Sequence, residues 1–211
     1  MGTAMPDPDV AGFAIVLPTN WELLDLDPRT RDRSVQRMVR RALGTADHLA
    51  RLRHEAVVAY RRMLADAEDH GAFLAASVSE NVEGAVLAAS VLAFLVPLPR
   101  DDDGTPMASV EEMSATLSQP AEDERGLEVS IVELAVGRAV RVRALVRSDL
   151  TGSDGRHPEV QIVRYFVPVP ELGGMLVMAF STPSLFAADA FAELFDALAR
   201  SASWRSAGSS A

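Results

Sequence analysis

The spacing of apolar residues changes rhythm several times along this chain, and each change marks an element. Residues 1–10, MGTAMPDPDV, are mostly small or polar and predict a flexible lead. The stretch GFAIVLPTNWELLDLDP, residues 12–28, then opens on a nearly continuous apolar run that stops at Pro18. Its Phe, Ile and Val favour a strand over a short helix. Pro-Thr-Asn turns the chain. Trp21, Leu23 and Leu24 alternate loosely with Glu22 and Asp25, which predicts a second short strand paired to the first. At Asp27-Pro28 the period becomes helical: Asp caps, Pro fits the first helical position, and Val35, Met38, Val39 and Ala42 share one face of a helix over 27–43. Gly44 breaks it. A longer helix over 46–70 carries the stripe Leu49, Leu52, Ala56, Tyr60, Met63, Leu64 and Ala67, and stops at His70-Gly71.

Beyond Gly71 the pattern is extended. Residues 72–80 and 84–99 predict a hairpin through Asn-Val-Glu-Gly. Ser109 with Glu112 three residues on is a capping box for a short helix over 109–119. Residues 127–135, 138–147, 159–169 and 175–181 read as strands, with sequential antiparallel pairing the simplest topology. Thr182-Pro183 introduces a closing helix with Leu185, Phe186, Phe191, Leu194, Phe195 and Leu198 facing inward. Trp204 follows, then a polar tail. The expectation is an α+β fold: one domain over 11–204, an antiparallel sheet of about six to eight strands flanked by helices, and a flexible tail over 205–211.

The order of these pieces carries a resemblance. Phe13-Ala-Ile-Val-Leu-Pro-x-x-Trp21 opens the domain, and Leu-Val-Met-Ala-Phe-Ser-Thr-Pro-Ser leads to a helix ending near Ser-Ala-Ser-Trp. This resembles the Mog1/PsbP-like superfamily, including its actinobacterial LpqN-type members. The resemblance implies an α/β/α sandwich in which Trp21 helps close the core. It also implies binding of a protein partner rather than catalysis, since members range from a small-GTPase partner to an extrinsic photosystem subunit and bacterial proteins near specialised, type VII secretion systems. No lipobox cysteine is present, so the lipoprotein form is not expected, and no binding residue of the family transfers to a matching position.

Composition narrows the function classes. Hydrophobic residues make up 48% of the 211, enough for a sizeable core. All 20 basic residues are arginine, which points to a GC-rich coding genome. The net charge of -10 argues against nucleic-acid binding, which normally needs a basic footprint. With no cysteine there is no disulfide, thiolate nucleophile or cysteine metal site. The longest apolar run, residues 84–99, is too short to span a membrane, and a cytoplasmic location is the expectation.

Candidate chemistry is sparse. His48 and His54 lie six apart, on nearly opposite helix faces, so they do not form the i, i+4 pair that a metal takes. His70 suits a helix end and His157 a turn. Residues 149–155, DLTGSDG, lack the glycine and the final Glu of a calcium loop. No G-x-S-x-G elbow or phosphate-binding glycine loop occurs. No catalytic residue, cofactor or metal is therefore assigned. Two arginine groups remain. Arg33, Arg37, Arg40 and Arg41 lie along one broad side of the first helix, with Arg29, Arg31, Arg51 and Arg53 nearby; the side reads as solvated surface or as a dock for an acidic partner. Arg141, Arg143 and Arg147 share one strand face, an exposed polar sheet face or an anion-binding surface. The leading functional expectation is a non-enzymatic adaptor that binds a protein partner, or a second copy of itself as a homodimer, through Arg33, Arg37, Arg40, Arg41, Arg141 and Arg143. The alternative is a small-molecule binder with an apolar pocket between sheet and helix, lined by Phe94, Phe166 and Met178. An enzyme without a recognisable motif is the third.

Overall fold

The longest extended stretches assemble into one sheet, and the helices pack on its two faces. The computed structural model describes residues 10–82, 85–98, 109–121, 124–148 and 157–206. In chain order the elements are β1 (Val10–Ala14), β2 (Glu22–Leu23), α1 (Arg31–Leu43), α2 (Ala50–Asp69), β3 (Ala72–Val82), β4 (Ala85–Pro97), α3 (Val110–Leu117), β5 (Glu124–Leu134), β6 (Gly137–Arg147), β7 (Glu159–Val169), β8 (Gly174–Thr182), α4 (Ala188–Arg200) and β9 (Ser203–Ser206). Seven strands form an antiparallel sheet in the order β2-β3-β4-β8-β7-β6-β5, and β1 pairs with β9 in a separate two-stranded sheet. The fold is α+β, as the sequence pattern predicts.

Pairing departs from the sequential expectation at two places. β8 pairs with β4, Leu92 opposite Ala179, so the last long strand enters the middle of the sheet. β4 and β8 are the most continuously apolar strands, and the centre is where both faces of a strand are covered. The second departure is at the N-terminus. β2 does not pair with β1; it pairs with β3, Glu22 opposite Ser77. β1 instead meets the end of the chain, with Phe13 opposite Trp204. Phe13 holds both Trp204 and Phe73 edge-on, at ring-centroid distances of 5.8 and 5.5 Å. β1 thus begins at Val10, the last residue of the expected lead, and β9 extends through Arg205 and Ser206 of the expected tail.

The helices form with shifted ends. α1 starts at Arg31, four residues past the expected cap, because Asp27 and Pro28 close a turn: the Asp27 carbonyl accepts from the N–H groups of Thr30 and Arg31 at 3.0 and 2.8 Å. A single 3-10 turn at Asp47–Leu49 precedes α2. α2 ends where expected, at Gly71, whose φ of +79° an L side chain would resist. Ser109 caps α3 as expected, its Oγ accepting from the Glu112 N–H at 3.3 Å. A 3-10 turn at Leu185–Ala187 delays α4, and Phe186, expected inward, stands 70% exposed.

One sheet face is covered by α4. Tyr165, Leu176, Met178 and Phe180 from the sheet pack on Phe191, Phe195, Leu198 and Ala199, and Trp21 is buried in the same cluster. Phe180 stacks on Phe195 at 5.0 Å and meets Tyr165 edge-on at 5.8 Å. The other face is covered at its two ends. The α1–α2 pair packs over Ala75 and Leu92 of β3 and β4, and α3 packs over Val140, Val142 and Val177 of β6 and β8.

Candidate functional site

Between those two coverings the second face opens into a groove of about 760 Å³. One wall is α2, through Ala56, Ala59, Tyr60, Met63, Ala67 and the rim residues Arg62, Asp66 and His70. The floor is β4, through Ala88, Ser90, Leu92 and Phe94, continued by Ser181, Val160, Pro158 and Pro183. The space follows from side-chain size. The helical period turns Ala56, Ala59 and Ala67 toward a strand that offers Ala88 and Ser90, so small residues face small residues and the surfaces do not interdigitate. A volume of this order is typical of small-molecule sites.

Polar groups in the groove are few and incompletely satisfied. Ser77, Ser90 and Ser181 sit opposite one another on three adjacent strands, making a row of hydroxyls across one face. Ser90 Oγ and Ser181 Oγ share a hydrogen bond of 2.8 Å. Ser77, which does not line the groove, is buried with its Oγ unpartnered among the described residues. Burial pushes the Tyr60 phenol above its ordinary pKa, so it is a neutral donor at physiological pH. At the rim, His70 Nδ1 lies 2.6 Å from the Asp66 carbonyl, the helix-end role its position predicts.

Of the three residues predicted to line such a pocket, only Phe94 does. Phe166 packs in the cluster beneath α3, and Met178 points to the α4 face, fully buried. Strand alternation decides this: Met178 and Phe180 point one way, Val177 and Ser181 the other. The alanines and serines that make the groove carry no chemical signature. Their one trace in the sequence is the run of small residues on α2 and β4, which fits a close contact equally well.

The arginines divide into two groups. Arg33, Arg37 and Arg40 are exposed on the outer side of α1 and make no ion pair among the described residues, whereas Arg41 pairs with Glu22. Arg141 and Arg143 correct the expectation of an exposed sheet face, because α4 lies over it. The Arg141 side chain is 14% exposed and bonds Asp196 at 2.7 Å; Tyr165 donates to the same carboxylate. Arg143 reaches Gln161 at 2.9 Å and Asp189 at 2.5 Å. The two arginines fasten α4 to β6 and β7. Desolvation, reinforced by the Asp196 charge, pushes the Tyr165 phenol well above its usual pKa.

Among the described residues no three His, Asp or Glu side chains are placed to hold a metal, and no helix is long and apolar enough to cross a membrane. The acidic stretch 100–104 and the loop 149–155 lie outside the described residues. The Mog1/PsbP-like resemblance rests on the sequence motifs quoted above: no protein-family model matches this chain, and no curated protein matches it.

Proposed function

We propose that the protein is a non-catalytic binding protein that holds a small, largely apolar ligand in the groove between α2 and the sheet. The observation that carries this reading is the half-open floor of Leu92, Phe94 and Val160, apolar residues left only partly buried on a face that the helices cover at both ends. Among the described residues the ionisable groups Arg62, Asp66 and His70 stand at the rim and none lines the floor, which favours retention of a ligand over reaction. The neutral fluorescent probe N-phenyl-1-naphthylamine tests it. The full chain should enhance the probe's emission saturably, and Ala59→Trp, which fills the groove, should abolish the enhancement without lowering the melting temperature. Unchanged probe binding in that variant overturns the reading.

A second reading is the adaptor that the family resemblance implies. Exposed Arg33, Arg37 and Arg40, without an ion pair among the described residues, favour it, because such guanidinium groups are available to the carboxylates of a partner. A second copy of this acidic chain would supply them. Sedimentation of the full chain at low and high salt tests the homodimer: a dimer that dissociates with salt, and that is lost when all three are changed to Gln, supports this reading, and a monomer throughout removes a second copy as the partner.

A further inference from the structure

The groove is apolar along its length, yet its floor holds donors that the protein leaves without acceptors. In the Ser90–Ser181 pair one hydroxyl donates to the other, and neither makes a further hydrogen bond among the described residues, so one O–H remains unused. The Tyr60 hydroxyl, on the opposite wall, has no partner among the described residues either. Polar groups at a largely apolar surface are normally paired, so two unused O–H donors facing each other across an open groove point to an acceptor supplied from outside.

The charges around the groove fix the kind of acceptor. Among the described residues no cation lines the serine floor. At the rim Arg62 stands four residues from Asp66 on the same wall, a cation and an anion together. A carboxylate or phosphate seated against Ser90 and Ser181 would lose its hydration with no positive charge to replace it. A carbonyl, ester or hydroxyl oxygen would lose far less and would take up the free donors.

We infer that the groove binds an uncharged amphiphile, with a neutral oxygen-bearing head on the Ser90–Ser181 pair and an aliphatic body along Leu92, Phe94, Met63 and Ala59. This rests on the groove reading above and specifies its ligand class. The test is displacement of N-phenyl-1-naphthylamine from the full chain, at neutral pH and below micelle-forming concentrations, by two competitors of equal chain length: monodecanoyl glycerol, which is neutral, and decanoate, which is charged. The glyceride should compete at least tenfold better. In Ser90→Ala/Ser181→Ala its affinity should fall roughly three- to tenfold, the worth of one or two neutral hydrogen bonds, while the probe binds as before. Decanoate competing as well as the glyceride, or an unchanged glyceride affinity in a variant that still binds the probe, overturns the inference and leaves the groove reading standing. Probe bound but displaced by neither competitor means that water alone satisfies the serines, and the inference falls. Failure of the probe itself to bind removes the groove reading and this inference together. Comparing the two competitors needs only the wild-type chain, so the test does not depend on the variant folding.

Discussion

The two faces of the seven-stranded sheet are built from the same kinds of elements and end differently. On the α4 face large side chains meet large side chains: Phe191 and Phe195 from the helix against Tyr165 and Phe180 from the strands, with Arg141–Asp196 tying one edge. On the α2 face Ala56, Ala59 and Ala67 meet Ala88 and Ser90, and a groove is left. Both helices are amphipathic, so the hydrophobic pattern is alike; side-chain volume at the contact is not. One face is a stability device and the other has capacity to spare. Substitutions should therefore behave differently on the two faces.

The largest effect is expected at the centre of the filled face. Phe195→Ala removes a fully buried ring stacked on Phe180 and should cost about 3–5 kcal/mol in urea unfolding. Leu92→Ala on the groove floor, where the side chain is only partly buried, should cost less than half of that. Equal losses would break the distinction between the faces.

Next comes the Tyr165–Asp196–Arg141 cluster. Tyr165→Phe leaves the ring packing intact and deprives the Asp196 carboxylate of a donor, and should cost about 1–3 kcal/mol by the same measurement. A change within 0.5 kcal/mol would show that Arg141 alone satisfies the carboxylate.

Enlarging an alanine gives the sharpest contrast. Ala199→Leu, on the closed face, should destabilise by about 1–3 kcal/mol through overpacking, whereas Ala59→Leu should be neutral or stabilise by up to about 1 kcal/mol. Two losses of similar size would mean that the α2 contact is already filled.

The smallest effect is expected on the outer side of α1. Changing Arg33, Arg37 and Arg40 together to Gln should shift stability by less than about 0.5 kcal/mol, since none makes an ion pair among the described residues. Arg141→Gln, by contrast, leaves the partly buried Asp196 without its cation and should cost several times as much. A triple-Gln variant as destabilised as Arg141→Gln would place α1 in a network of its own.

The sequence by itself determined the elements, because their signals are local. The capping box at Ser109, the stop at Gly71 and the 3.6-residue stripes of α1 and α2 depend on neighbours within one or two turns. Trp21, which the resemblance carried by the opening motif implies is a core residue, is buried. Tertiary structure alone decided what lies far apart in the chain. β1 finds β9, and β8 enters beside β4, because covering an apolar strand on both faces depends on the whole sheet. Arg141 and Arg143 read first as an exposed polar face and second as a partner surface until α4 covers them, since strand alternation tells which residues share a face but not what lies above it. The groove was the least legible feature. Alanine and serine are neutral in pattern and chemistry, and only the docking of α2 over β4 decides whether their small side chains close a contact or leave a cavity.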